Sequence, residues 1–323
     1  MRLLSFAVML TMYAFATSAQ TQNYPYPSRP IRFIVPFPPG GGNDVMARIV
    51  GQKFTDAFGQ QVVIDNRGGA GGNIGTEIAS RAAPDGYTLF LGGVGSHGTN
   101  PGLQSKLPYD PVKDFAPVSQ IASAALVVVS NLALPAKSIS ELVQYAQSRP
   151  GQINYASSGT GSIAHLSVEL FNSMAKIKLQ HVPYKGTGPA LTDLLSGQVQ
   201  LLFNSALSML PQIRGNRVRA LAVTSVKRIA PLPDVPTIAE SGLPGYDATS
   251  WYGVLAPART PRTIIDKLNA EIVRAVRAPE LSNRLQSEGA LPVGNSPEQF
   301  AAFIQRELDR WAKVIKEAGI KVE

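Results

Sequence analysis

The chain has 323 residues, of which 44% are hydrophobic, and it contains no cysteine. The lack of cysteine excludes disulfide bonds, thiolate metal sites and thiol nucleophiles. The 30 lysine and arginine residues outnumber the 22 aspartate and glutamate residues, but they are scattered along the chain, which argues against a nucleic-acid-binding surface.

The amino terminus has the pattern of a secretory signal peptide. Arg2 precedes an apolar run from Leu3 to Phe15, and the small residues Ser18 and Ala19 follow it. The run is shorter than the ~20 apolar residues that cross a bilayer, so a membrane anchor is the less favoured interpretation. We therefore predict a signal peptide over residues 1–19 and export of a soluble mature chain to the periplasm.

About 300 residues remain after the predicted cleavage, which is more than a single hydrophobic core usually holds. Two lobes are therefore expected. In the first lobe, short β-rich runs alternate with segments of helical periodicity, a pattern typical of βα units and a parallel sheet. Its predicted strands are residues 31–35, 62–65 and 87–92.

A second series of the same kind begins near Ser123 and predicts a second, smaller parallel sheet. Its predicted strands are residues 126–130, 153–157, 179–182, 201–203 and 220–224. The chain then continues with a strand and three amphipathic helices, predicted at residues 252–256, 261–277, 281–288 and 297–318. Because amphipathic helices need a sheet to cover, we expect this part to return to the first lobe. The predicted first lobe is discontinuous, residues 24–122 plus 226–323, and the second lobe is residues 123–225.

Four predicted strands end in loops of small and hydroxylated residues. These loops are residues 36–44, 67–73, 157–162 and 184–188. In an open α/β sheet such loops lie at the carboxyl edge of the strands, where ligands bind, and two lobes present them face to face. Glycine lets backbone N–H groups approach a ligand closely, and a following helix adds a partial charge of roughly +0.5 at its amino terminus. Such loops can hold a carboxylate without arginine, although tight turns are an alternative role for the glycines.

Two rival motifs fall in the third loop. Residues 159–164 fit the relaxed dinucleotide fingerprint G-x-G-x-x-A, but the acidic residue expected about 20 positions later is missing. Ser162 and His165 share one helix face, which makes an exported hydrolase the alternative function. Because no orienting acid is evident, helix capping and packing are the favoured roles of these two residues. The three histidines lack metal-ligand spacing, so we predict no catalysis, no metal and no cofactor.

Seven ordered segments of the chain carry a family resemblance. They are PFPPGGGND (36–44), NRGGAGGNIG (66–75), PDGYTL (84–89), LPYDPVKDFAP (107–117), YASSGTGSIAH (155–165), HVPYKG (181–186) and DVPTIAE (234–240). Over essentially the whole mature chain, they resemble the tripartite tricarboxylate transporter receptor family, also called the Bug family. The resemblance implies a two-lobed α/β fold like that of type II periplasmic binding proteins, with a ligand cleft between the lobes.

The resemblance also implies a function and a set of ligand-binding residues. The function is that of a periplasmic solute-binding protein that captures a di- or tricarboxylate, an acidic amino acid or an aromatic acid for uptake or sensing. Two loops should bracket the carboxylate, the first through Phe37, Gly40, Gly41 and Asp44 and the other through Ser157, Ser158, Gly159, Thr160, Gly161 and Ser162. At the variable end of the ligand we expect Ser96, Asn204 and Trp251, and the predicted set is completed by His165 and Tyr184.

Two expectations remain open at this point. Trp251 also fits a core aromatic, which is the slightly favoured interpretation of that residue. The protein is expected to be a monomer, and its partner beyond the ligand is expected to be a two-component membrane permease or a sensor kinase.

Overall fold

The computed structural model describes residues 26–104 and 106–317. The predicted signal peptide, residues 1–19, lies outside the described residues and stays a prediction. Within the described part, no helix is long and apolar enough to span a bilayer.

Among the described residues, ten strands form one continuous sheet. In chain order they are β1 (Ile31–Val35), β2 (Val62–Asn66), β3 (Thr88–Gly93), β4 (Phe115–Ser130), β5 (Asn154–Ser157), β6 (Gln180–Pro183), β7 (Leu201–Ser205), β8 (Arg219–Val223), β9 (Thr249–Pro257) and β10 (Ala290–Pro292). The order across the sheet is β2-β1-β3-β9-β4-β7-β5-β6, and β8 and β10 both pair with β4.

Helices cover both faces of this sheet. In chain order they are α1 (Gly42–Phe58), α2 (Asn73–Ser80), α3 (Asn100–Leu103), α4 (Ile139–Gln147), α5 (Ile163–Ala175), α6 (Thr187–Ser196), α7 (Ala206–Arg214), α8 (Arg262–Arg277), α9 (Pro279–Ser287) and α10 (Pro297–Glu317). Two further single turns, Ala70–Gly72 and Gly95–Thr99, follow β2 and β3.

The long strand β4 takes part in two lobes. Its residues 115–125 pair with β9, whereas its residues 126–130 pair with β7. We define the first lobe as β1–β3, β9, β10 and the first part of β4 with α1–α3 and α8–α10. The second lobe is β5–β8 and the last part of β4 with α4–α7. The predicted boundary between residues 122 and 123 falls inside β4, and the exact boundaries stay predictions.

The expectation of two parallel sheets is only partly correct. β1 is parallel to β2 and β3, and β5 is parallel to β6 and β7, as βα units predict. β9, however, is antiparallel to β3 and β4, and β4 is antiparallel to β7 and β8. β4 and β9 carry the chain between the lobes instead of closing a βα crossover, so the crossover rule that enforces parallel pairing does not apply to them.

Each lobe has an apolar core on both faces of its sheet. In the first lobe, Phe54 and Leu268 pack on one face and Trp311 packs on the other. In the second lobe, Phe171 lies in the core on one face and Leu194 in the core on the other. This packing fixes the strand ends, and with them the loops that face the opposite lobe.

Candidate ligand-binding cleft

A cavity lies between the lobes, where strand ends of both lobes meet. Its lining residues are Pro36, Phe37, Pro38, Gly41, Gly42, Asn43, Gly93, Val94, Gly95, Ser96, Leu126, Ser158, Ser162, Ile163, Ala164, Gly186, Thr187, Asn204, Ser205, Ser250 and Tyr252. We call this space the inner cavity. It combines the loops after β1 and β3 of the first lobe with the loops after β5, β6 and β7 of the second.

Cap or first-turn residues of four helices line the inner cavity. The first lobe contributes the start of α1, and the second lobe contributes the starts of α5, α6 and α7. The first N–H groups of a helix have no partner within the helix, and they carry the positive end of its dipole. Among the described residues, no side chain caps α1, α6 or α7, so the first N–H groups of these helices are available to a ligand or to water. The cavity is therefore a convergence of hydrogen-bond donors from both lobes.

The polar lining of the inner cavity is neutral. Among the described residues, no charged side chain lines it. The Asn204 Nδ2 donates to Thr187 Oγ1 at 3.1 Å, and its Oδ1 accepts from the Ser205 N–H at 2.7 Å. Because the Thr187 hydroxyl accepts from Asn204, its own proton is free to be donated to an anion.

The two lobes touch around the cavity. The Thr99 hydroxyl donates to the Gly161 carbonyl at 2.8 Å, and the Tyr252 hydroxyl donates to Ser205 Oγ at 3.1 Å. A Cβ atom placed on Gly42 would lie 2.6 Å from the Ser205 Cβ. The cavity volume is about 50 Å³. The structure is thus a closed state, in which the two lobes contact each other around the cavity.

The structure brings part of the predicted set together. The predicted residues that line the inner cavity are Phe37, Gly41, Ser96, Ser158, Ser162 and Asn204. Gly159 and Tyr184 line a second space nearer the solvent, and the Thr160 carbonyl lies beside Gly71 of the opposite lobe. The contacts of these residues with a ligand stay a prediction.

Asp44 supports the first loop without lining the inner cavity. It is 4% exposed, and its Oδ2 accepts from the Gly40 N–H and from Arg48 Nε, both at 3.0 Å. Burial raises the pKa of Asp44, but the hydrogen bonds from Arg48 and Gly40 outweigh burial and keep the pKa below its usual value. The ionised carboxylate of Asp44 therefore holds the backbone at Gly40, which directly precedes the cavity residue Gly41.

Stacked rings support the loop after β5. The His165 and His181 rings lie 4.0 Å apart at an angle of 8°, and Tyr155 stacks on His181 at 4.9 Å. The Gly161 N–H donates to His165 Nδ1 at 3.1 Å, and Ser157 Oγ lies 2.7 Å from His181 Nε2. Burial lowers the pKa of both histidines, and the neighbouring His165 helps to lower the pKa of His181 to about 3. These neutral rings hold the loop after β5. None of the residues of this cluster lines the inner cavity, which applies to Tyr155, Ser157, Gly161, His165 and His181.

The hydrolase alternative requires a hydrogen bond between Ser162 and the His165 ring. Instead, Ser162 caps α5, because its Oγ accepts from the His165 backbone N–H at 3.3 Å. The ring Nδ1 is occupied by the Gly161 N–H, and the Nε2 lies 4.0 Å from the Glu169 carboxylate. The favoured interpretation of these residues, capping and packing, is confirmed.

Trp251 belongs to the core of the first lobe, as the favoured interpretation of that residue predicts, and it does not line the inner cavity, so its contact with a ligand stays a prediction. It is 2% exposed, packs edge-on against Phe300 and Phe303, and donates from Nε1 to Glu307 Oε2 at 3.0 Å. Successive residues of a strand face opposite sides, so the next residue, Tyr252, faces the inner cavity.

Several lining residues were missed by sequence reasoning. Thr187 lies in one of the four predicted loops but was not selected, and Ser205 ends β7 directly before α7. The β7 end lacks the glycines that marked the other loops. The sequence signal for a ligand-binding strand end at β7 was only the polar pair Asn204-Ser205, which lies between a strand and a helix.

The family model described as the tripartite tricarboxylate transporter family receptor, TctC, matches residues 46–320. The chain belongs to this family. The family prediction made from the seven segments is therefore confirmed. Members of the TctC family are substrate-binding receptors and not enzymes, which removes the exported hydrolase as an alternative.

Solved structures of TctC-like proteins have the same fold. A protein of R. palustris, Rpa4515, solved with adipate, is 39% identical over 92% of this chain and 99% of its own, with a TM-score of 0.90. The periplasmic binding protein BugD is 35% identical over 92% of this chain and 100% of its own, with a TM-score of 0.88. MatC from Rhodopseudomonas palustris with bound malate is 36% identical over 90% of this chain and 100% of its own, with a TM-score of 0.84. The predicted fold class is confirmed, and the chain is a solute-binding protein of the TctC family.

Proposed function

We propose that this protein captures a small organic acid in the inner cavity and holds one carboxylate with N–H groups and hydroxyls from both lobes. The observation that carries this proposal is the convergence of four helix amino termini on a cavity lined by no charged side chain of the described residues. A hydrogen bond to a charged group contributes about 1.5–3 kcal/mol, so several donors are needed for useful affinity. Two lobes supply them only when the cleft is closed.

The relatives support a carboxylate as the ligand class. The structures of Rpa4515 and MatC contain adipate and malate, and both of these ligands are dicarboxylates. Both proteins align with at least 90% of this chain. Malate and adipate differ in length, so the shared feature is the carboxylate and not the rest of the molecule.

Closure of the two lobes links ligand binding to recognition of the protein by a partner. The contacts from Thr99 to Gly161 and from Tyr252 to Ser205 join the two lobes directly. A ligand that contacts both lobes binds the closed state better than the open one and shifts the population toward it. In this proposal the exported protein presents the closed, loaded form in the periplasm to a two-component permease or to a sensor kinase.

Calorimetric titration with a panel of mono-, di- and tricarboxylates, acidic amino acids and aromatic acids tests the proposal. We expect saturable heat with a stoichiometry near one for at least one acid, and mass spectrometry should recover that acid chemically unchanged. Chemical conversion of the acid, or the absence of heat for every acid of the panel, would overturn the proposed function.

A further inference from the structure

A second space opens directly outside the inner cavity. This outer cavity has a volume of about 620 Å³, and it shares Phe37, Pro38 and Ser158 with the inner cavity. Its other walls come from the glycine loop after β2 in the first lobe and from Gly159, Tyr184 and Lys185 in the second lobe. Phe37, Pro38 and Ser158 belong to both spaces, so the two cavities are adjacent.

The two cavities differ in charge. The inner cavity is lined only by neutral groups, whereas Lys185 is the single charged side chain that lines the outer cavity among the described residues. Lys185 is exposed, and within the described part of the chain no carboxylate lies within 4 Å of its ammonium group. The neighbouring Tyr184 hydroxyl is directed to Asp193, which it contacts at 2.6 Å. Among the described residues, the ammonium group of Lys185 therefore has no fixed carboxylate partner.

The position of Lys185 is set by contacts between the lobes. Lys185 lies between Tyr184 and Gly186, and a Cβ atom on Gly186 would lie 3.1 Å from Pro38 Cγ of the first lobe. Pro38 also packs on Gly68, where a Cβ atom would lie 2.6 Å from Pro38 Cδ. Closure of the lobes thus brings the Lys185 loop against the first loop, at the side of the cleft where the outer cavity opens.

From these observations we infer that the outer cavity is a second anion subsite, in which Lys185 pairs with the distal carboxylate of a dicarboxylate. This inference rests on the proposed function, because it assumes that the first carboxylate occupies the inner cavity. It adds that the protein distinguishes dicarboxylates from monocarboxylates and that Lys185 is the residue that does so. An ammonium ion is a compact charge on a flexible stem, so it can follow distal carboxylates at different distances.

Paired acids of equal chain length test this inference. We would titrate the full mature protein with adipate and hexanoate, and with succinate and butyrate, at low ionic strength. For the wild type we expect tighter binding of the diacid than of the monoacid in at least one pair. In Lys185→Gln we expect about a fivefold loss of affinity for that diacid and less than a twofold change for its monoacid. Lys185→Arg should keep the preference, because it keeps the charge.

Two controls separate a local subsite from a general charge effect. Lys178→Gln removes the same charge from an exposed position of the second lobe that lines neither cavity, and it should leave the preference unchanged. Added salt should reduce the diacid preference of the wild type and not that of Lys185→Gln, since exposed charge pairs are screened. A diacid preference that survives Lys185→Gln would overturn the inference and leave the proposed function standing. Failure of every one of the four acids and of the wider carboxylate panel to bind would overturn both.

Discussion

The Thr99 hydroxyl of the first lobe donates a hydrogen bond to the Gly161 carbonyl of the second lobe at 2.8 Å. The N–H group of the same glycine donates to His165 Nδ1 at 3.1 Å. One residue of the loop after β5 is therefore fixed to the stacked rings of its own lobe and to the opposite lobe. The position of the loop after β5 and the closure of the cleft are thus coupled through Gly161.

Removal of the Thr99 hydroxyl should weaken ligand binding. In Thr99→Val the shape of the buried side chain is kept, but the Gly161 carbonyl loses its partner in the closed state. A hydrogen bond contributes about 0.5–1.5 kcal/mol, so the Kd of the acid identified by the panel should rise about three- to tenfold. Thr192→Val is the matched control, because the Thr192 hydroxyl donates to Gly188 within α6 and not across the cleft. Equal Kd values for Thr99→Val and the wild type would show that this bond does not stabilise the closed state.

A methyl group at Gly42 should keep the lobes apart. The added Cβ atom would lie 2.6 Å from the Ser205 Cβ and 2.6 Å from the Tyr252 hydroxyl, which is closer than real Cβ contacts. We expect Gly42→Ala to lower ligand affinity at least tenfold. In the presence of ligand, small-angle X-ray scattering should show a larger radius of gyration for the variant than for the wild type.

Gly188→Ala is the control for this substitution. A Cβ atom at Gly188 meets no atom of the described residues within 4 Å, and the position lies in the first turn of α6, where alanine is favoured over glycine. Its Kd should equal that of the wild type. Binding by Gly42→Ala within about threefold of the wild type, or roughly 0.7 kcal/mol, would contradict close contact of these two loops in the loaded state.

The free energy of unfolding should fall as the pH decreases below neutrality, in part through His97. Burial among Phe90 and Phe115 lowers the pKa of His97 from 6.5 to about 3. Between these two pKa values the unfolded chain binds a proton at this residue and the folded chain does not. Stability is therefore retained above pH 6.5 and lost as the pH falls toward 3, by up to about 1.4 kcal/mol per pH unit for this side chain.

His97→Phe provides the test, because it keeps an aromatic ring and removes the titration. Urea unfolding at pH 8, 6 and 5 should show a smaller loss of stability for the variant than for the wild type, whatever their difference at pH 8. Parallel losses in the two proteins would mean that His97 is protonated in the folded state or does not titrate between these conditions.

Trp251 should contribute to stability and not to binding. Its Nε1 donates to the Glu307 carboxylate at 3.0 Å, and Trp311 Nε1 donates to the same oxygen at 3.1 Å. Glu307 is 6% exposed, so loss of either donor leaves a buried charge less well solvated. Trp251→Phe and Trp311→Phe should each lower the free energy of unfolding by about 1.5–3 kcal/mol. A change of the Kd by more than threefold in Trp251→Phe would instead place this side chain at the ligand.

The repeated strand and helix steps could be predicted because hydrophobic periodicity and glycine-rich strand ends are local signals. β1 and β2 began at the predicted residues, and the loops at 36–44 and 157–162 do face each other. The strand direction of β4 and β9 could not be predicted, since it depends on how two lobes are joined and not on any local pattern. For the same reason the prediction for β4 began at residue 126, whereas the strand begins at Phe115.

Within the site, sequence reasoning identified loops better than it identified individual side chains. Gly41 and Ser162 were selected and line the inner cavity, since each is the N-cap residue of a helix that begins at the cavity. Asp44 and His165 were selected with them but face the protein, where Arg48 and His181 are their partners. Which face of a loop a side chain occupies is decided by such tertiary contacts, and the sequence of the loop does not encode them.

A crystal structure with the bound acid is the most direct test of the central proposal. We expect one carboxylate in the inner cavity, within about 3.2 Å of backbone N–H groups at the starts of α1 and of at least one of α5, α6 and α7. The Thr187 hydroxyl should donate to the same carboxylate. An acid bound outside the inner cavity, or a carboxylate there that is held chiefly by arginine or lysine side chains, would contradict the proposal.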